Sequence, residues 1–316
     1  MRAAFASTLT ELAKRDPRIV LLTGDLGYMA LEPFAQAHPK RFINVGVAEQ
    51  NMVGLATGLA EAGMLPFVYS IATFASLRPY EFIRNGPVLH GLPVRIIGVG
   101  GGFEYGHAGP THHALEDVGV MRTLPGLTVV APADHRQART ALQSTWDMPG
   151  PVYYRLGKDD RTVVPGLDGR FSCDGLEIVR AGHDVLLLAM GSIATEAVAA
   201  AQFLAERGVF AAVAIMACIH PAPTAALANL AARYRVVTTV EAHSLSGGLG
   251  SLCAEVIAER DLDCRLVRCG VRTAPDGRSG SQDYYHQRHG LDAASIAESA
   301  SRALHEVPGR TVRKAG

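Results

Sequence analysis

The feature of this sequence best placed to do chemistry is an acidic residue in an apolar helix. Glu49 enters the segment NVGVAEQNMVGLATGLAEAG (44–63), which is otherwise made almost wholly of Ala, Gly, Val, Leu and Met. Such a helix is expected to pack on all sides and to bury the carboxylate. Burial disfavours the charged form and raises the pKa unless a cation or several donors compensate, and a carboxyl that is neutral at pH 7 is a usable proton donor. The structural alternative is a carboxylate in a first helical turn, where it complements the helix dipole by about 0.3–1 kcal/mol.

A second candidate is the loop GVGGGFEYGHAGPTHHALED (98–117), in which a strand ends in glycines and the chain then presents His107, His112 and His113 before a helix. Ligands of open α/β sheets bind at such strand ends, and glycines permit close backbone approach. Metal binding is argued against, because His112 and His113 are adjacent and no acidic or sulfur ligand has a matching spacing. A solvated or core role stays open for each histidine. GDLGYM (24–29) follows a strand, but Leu26 stands where a Gly-Asp-Gly diphosphate site would have its second glycine. Asp25 is therefore read as a strand-end turn residue or a ligand contact. SLSGGLGS (244–251) opens a helix and could offer backbone N–H groups to an anion, or could serve only tight turning and close packing. His220 and His243, at the ends of later strands, receive no role.

The elements that must position these residues follow from the apolar pattern. Runs at 19–24, 42–46, 65–70, 93–100, 127–132 and 151–156 alternate with helical patterns, which predicts a mostly parallel, doubly wound sheet. The polar stretch after Leu156 predicts a boundary, with a first domain over 1–165, a linker over 166–182 and a smaller α/β domain over 183–316. In that second domain, strands are predicted at 184–191, 210–218, 235–241 and 264–270, with helices at 193–207, 223–233 and 248–260. The residues after Val307 are expected to fray. The fold class is thus α/β, two domains, each a mostly parallel sheet flanked by helices.

Composition narrows the function. With 316 residues the chain has room for about two domains, and 48% hydrophobic against 19% charged residues is a globular profile. Thirty basic and thirty acidic residues cancel, so no global field draws in nucleic acid. Five cysteines with no CxxC pair argue against a zinc site and a disulfide framework and fit a reducing cytoplasm. The charged N-terminus lacks a signal-peptide core, and no apolar run approaches the ~20 residues of a membrane span.

The segments VGVAEQNMVGLATGLA, TFASLRPYEFIRN and AGPTHHALEDVGVMRTLPGLTVVAPAD, in this order and spacing, resemble the pyrimidine-binding half of transketolases and deoxyxylulose-phosphate synthases. VVTTVEAHSLSGGLGSLCAEV and RSGSQDYYHQRHGL resemble the C-terminal domain of the same superfamily. The resemblance covers nearly the whole chain but lacks the domain that holds the cofactor's diphosphate. It therefore implies the C-terminal subunit of a split transketolase that moves a two-carbon ketol unit from a ketose (phosphate) to an aldose. Thiamine diphosphate would be the cofactor, with Mg2+ held by a separate N-terminal subunit in an α2β2 assembly.

By the same resemblance, Glu49 is the glutamate that hydrogen-bonds the pyrimidine N1′ and activates the cofactor. Phe74 and Tyr80 would contact the ring, and Asp25 would lie on the cofactor side. His112 would face the substrate, with His107 of the same loop as a further contact, while Arg155 and Arg2 would hold a sugar phosphate. Ala108, Gly100, Met29 and Leu77 depart from the family pattern and weaken the case for ordinary pentose phosphates. The alternatives are the β subunit of a 2-oxo acid dehydrogenase and a non-catalytic subunit that stabilises a partner.

Overall fold

A computed structural model describes residues 1–274 and 276–307; the expected fraying after Val307 lies outside the described residues. The first sheet is built from β1 (Ile19–Thr23), β2 (Phe42–Asn44), β3 (Leu65–Ile71), β4 (Arg95–Val99), β5 (Thr128–Val130) and β6 (Val152–Leu156). Between them run α1 (Arg2–Arg15), α2 (Glu32–Ala37), α3 (Glu49–Glu61), α4 (Ala72–Leu77), α5 (Tyr80–Ile83), α6 (Asp117–Met121) and α7 (His135–Thr145). All pairings among these six strands are parallel. Strands β1, β3, β4 and β6 are buried along their whole length, as expected where helices cover both faces of a parallel sheet.

The second sheet contains β7 (Glu177–Arg180), β8 (Val185–Met190), β9 (Ala211–Ile215), β11 (Val236–Ser244) and β12 (Arg265–Val271) in the order β12-β11-β8-β9-β7. It is flanked by α8 (Ala194–Glu206), α9 (Thr224–Ala231), α10 (Leu249–Glu259), α11 (Gln282–Arg288) and α12 (Ala293–Glu306). Two expectations need correction here. The segment read as a linker carries β7, an antiparallel edge strand on β9. The run 210–218 is not one strand: after β9 the chain leaves its sheet, and β10 (Cys218–His220) pairs antiparallel with β5, giving the first sheet the order β10-β5-β6-β4-β3-β1-β2. The hydrogen bond from Ala131 N–H to Ala217 O, 2.7 Å, marks the crossover that stitches the domains together.

Helix α3 also differs from expectation, since it does not pack on all sides. Glu49, Met52, Val53, Ala56 and Ala60 are buried, while Gly54, Leu55 and Gly58 on the other face are exposed. The exposed face of this helix, like the buried one, carries small and apolar residues. Among the described residues, no helix is long and apolar enough to cross a membrane.

Candidate active site

The C-terminal ends of β1, β3 and β4 lie side by side, with Thr23 in register with Tyr69, and Ile71 with Val99. Glu49, the first residue of α3, projects into this crevice and is 1% exposed. Its Oε1 accepts a hydrogen bond from the Ser70 hydroxyl at 2.9 Å, and its Oε2 accepts one from Arg78 Nη1 at 2.8 Å. Gly24 closes the floor: a Cβ there would stand 3.6 Å from Glu49 Oε1. The buried acid expected from sequence is thus an ion-paired one, because Arg78 supplies a compensating cation.

Arg78 follows Phe74 by four residues, so the two side chains meet on one face of the α4 turn. The guanidinium carbon stands 3.8 Å from the Phe74 ring centroid. The Arg78 side chain is 39% exposed against 2% for Glu49, so the arginine forms the solvent side of the pair. Phe74 in turn meets the His112 ring edge-on at 5.0 Å, and Tyr105 lies 6.4 Å from His112. Lys158 Nζ sits 4.6 Å over the Tyr105 ring. Glu49, Arg78, Phe74, His112, Tyr105 and Lys158 form a continuous row that opens into a polar cavity of about 340 Å³ lined by Arg2, Glu104 and Arg161 among others.

Of the residues proposed from sequence, Glu49, Phe74 and His112 share this row, and Arg2 lies at its far end with Nε buried and unpartnered. Asp25 is exposed, one residue beyond Gly24; its N–H donates to Asn44 Oδ1 and its own Oδ1 accepts from Asn44 Nδ2. Tyr80 is turned elsewhere, its hydroxyl 2.9 Å from Thr123 Oγ1. His107 is exposed on the short turn Gly106–Ala108.

Arg155 must be reassigned. It is 4% exposed, and Nε donates to Asp117 Oδ2 at 2.9 Å while Nη2 donates to the carbonyls of Ala114 and Ala242, at 3.0 and 2.9 Å. Tyr153 donates to the same Asp117 oxygen at 2.8 Å. Nε and Nη2 of the guanidinium are thus taken up in joining the two domains. His113 likewise belongs to the interior, between Phe103 and Tyr285, where burial lowers its pKa.

SLSGGLGS is capped from within the chain. The N–H groups of Leu249 and Gly250 donate to the buried Glu241 carboxylate at 2.7 and 2.8 Å, which leaves this helix start no role for an external ligand. Among the described residues, no group of three or more His, Cys, Asp or Glu is placed to hold a metal ion.

Sequence reading missed Arg78, Ser70, Tyr105 and Lys158. The signal for Arg78 was present, as a cation four residues after an aromatic on a helix. The place of Tyr105 explains one departure from the family pattern: a Cβ at Gly100, where φ is +81°, would lie 2.2 Å from the Tyr105 ring. That ring fills the space a side chain at position 100 would take.

Residues 1–162 match the transketolase pyrimidine-binding domain, and residues 174–296 match the transketolase C-terminal domain. The chain belongs to the transketolase family. A 6-deoxy-6-sulfo-D-fructose transketolase subunit of Clostridium sp. is 37% identical over 98% of this chain and 95% of its own length. An apulose-4-phosphate transketolase subunit of Phocaeicola vulgatus is 35% identical over 95% of this chain and 96% of its own length. A solved structure described as a split-gene transketolase, inactive β4 tetramer, is 35% identical, with a TM-score of 0.85 over 96% of this chain and 97% of that one. Within the family the chain thus corresponds, nearly end to end, to the C-terminal subunit of split transketolases.

Proposed function

We propose that this transketolase-family subunit completes a thiamine diphosphate site with an N-terminal partner and takes part in transferring a two-carbon ketol unit between sugars in the cytoplasm. One observation carries the reading: a carboxylate 1% exposed and a half-buried aromatic ring, Glu49 and Phe74, sit together at the ligand-binding end of a parallel sheet. A buried acid beside a flat apolar face is the donor set that a protonatable heteroaromatic ring requires, so the residues fit the aminopyrimidine of thiamine diphosphate. The cofactor supplies, when bound, the electron sink for cleaving a C–C bond beside a carbonyl.

Glu49 Oε2 would exchange a proton with a ring nitrogen, Ser70 would keep the carboxyl oriented through Oε1, and Phe74 would exclude water from one ring face. His112, packed on Phe74, is positioned to move protons at substrate oxygens. Arg2 and Lys158 at the far end of the row would receive an anionic tail. The sulfosugar and sugar phosphate in the names of the two relatives both carry one. Arg155 has no place in this scheme.

Support for a partner comes from exposed side chains of the first domain, which also holds the site. Met29, Val47, Leu55, Leu77, Phe82 and Leu89 are all exposed apolar residues of the first domain, and exposed apolar surface, where it is contiguous, marks contact sites. An α2β2 assembly, with Mg2+ on the partner, follows from this reading.

Reconstitution tests it. The chain alone should show no ketol transfer, the complex with a diphosphate-binding subunit should show it without a lipoyl acceptor, and Glu49→Gln in that complex should lower kcat by at least about 100-fold. Full activity of the Glu49→Gln complex would refute the proposal.

A further inference from the structure

We infer that Arg78 is the built-in occupant of the pyrimidine site, holding the two contacts a bound aminopyrimidine needs and leaving when the cofactor arrives. The inference rests on the functional reading above and concerns a residue to which that reading gives no task. Its guanidinium is planar, delocalised and rich in N–H donors. In this chain it does two things at once: it donates to Glu49 Oε2 at 2.8 Å, and it lies close enough on Phe74 to put its central carbon 3.8 Å from the ring centroid. A planar nitrogen heterocycle recognised by a buried carboxyl and an aromatic wall would call on the same two groups. The competition is for the face of Phe74 and the side of Oε2 that Arg78 covers: a ring seated there would overlap the guanidinium where it now lies.

The surroundings make the exchange feasible. Arg78 is the exposed member of its pair, 39% against 2%, and beyond Glu49 and Phe74 no hydrogen bond ties its guanidinium down among the described residues. Removing it to solvent costs the protein no other polar contact. Were it to leave without a replacement, Glu49 would remain buried with only Ser70 as donor, which is the costly state. The arginine therefore keeps the buried carboxylate satisfied and sets a threshold that the cofactor must overcome, so the site opens only against a competing ligand.

The test is calorimetric titration of thiamine diphosphate into the complex of this chain with its diphosphate-binding subunit. Arg78→Met removes the charge and the planar face at similar length; Arg78→Lys keeps the ion pair but loses the flat face and serves if the methionine variant does not fold. An occupant predicts a Kd lowered about tenfold in Arg78→Met and several-fold in Arg78→Lys. An unchanged or raised Kd in whichever variant folds would overturn the inference and make Arg78 a positioning residue for Glu49. If the wild-type complex takes up no thiamine diphosphate, the functional reading itself fails and this inference falls with it.

Discussion

Two arginine–carboxylate pairs in this chain have nearly the same geometry and opposite surroundings. Arg78 meets Glu49 at 2.8 Å and Arg155 meets Asp117 at 2.9 Å. At the domain junction both partners are sealed, with side chains 4% and 0% exposed, and the arginine has two further carbonyl acceptors from different domains. In the crevice the carboxylate is sealed but the arginine is at the surface with no second acceptor. The first arrangement is fixed by everything around it, whereas the second is held by one hydrogen bond and a ring. Ion pairing alone therefore does not distinguish a structural arginine from an exchangeable one; the number of independent acceptors and the exposure of the cation do.

The strongest way to break this contrast is Arg155→Ala. It leaves Asp117 buried without its cation and frees two carbonyls, and should cost about 3–5 kcal/mol of stability in urea unfolding. A loss under about 1 kcal/mol would mean that the junction is not the rivet described.

The next effect is pH-dependent and belongs to the same junction. Burial raises the Glu241 pKa to about 7 despite two backbone N–H donors. A carboxyl whose folded pKa lies above its unfolded value of about 4.5 binds its proton more tightly in the folded state, so its contribution to stability falls as pH rises from about 4.5 to about 7 and is level beyond. The neighbouring His243 is fully buried, its Nε2 accepting from Gly119 N–H and its Nδ1 donating to Ser244 O, and burial lowers its pKa. Its own dependence runs the other way, so the measurement is the difference between wild type and Glu241→Gln. That difference should change by roughly 2 kcal/mol between pH 5 and pH 7.5, with the variant gaining on the wild type at the higher pH. A pH-independent difference would show that Glu241 keeps one charge state throughout.

A smaller loss is expected in the crevice. Arg78→Ala removes one donor from a buried carboxylate that retains Ser70, and should cost about 1–3 kcal/mol, less than Arg155→Ala in the same assay. If the two costs were equal, the exposure of Arg78 would have no energetic meaning.

The sequence made the strands legible because parallel strands covered on both faces leave continuous apolar runs: β1, β3 and β6 fall within one or two residues of their predicted ends. Strand β7 was not legible, since an edge strand with the pattern half-buried, exposed, half-buried, half-buried leaves no such run. Nor was β10, because leaving one sheet for another is a tertiary event that apolar periodicity does not record. At the site, Glu49 stood out as a charge in an apolar helix. Arg78 and Arg155 could not be sorted, because nothing in TFASLRPY or YYRLG states how many carbonyls will surround a guanidinium. Family resemblance gave Arg155 a ligand, and the structure gives it Asp117, Ala114 and Ala242.

The smallest expected stability change tests the open side of the comparison. Leu89 is 71% exposed in the first domain, whose other exposed apolar residues include Phe82 and Leu77. Leu89→Asp removes no buried contact of this chain, so its unfolding free energy should stay within about 0.5 kcal/mol of wild type. If that surface meets the partner, the same variant should lose association with the diphosphate-binding subunit, read by analytical ultracentrifugation, because a carboxylate in an apolar interface must be desolvated without a counter-ion. Unaltered association would place the partner elsewhere, and the exposed face of α3 with Leu55 would then be the surface to substitute. A large stability loss would mean instead that Leu89 is packed within this chain in solution and that the crevice is more closed than the junction comparison assumes.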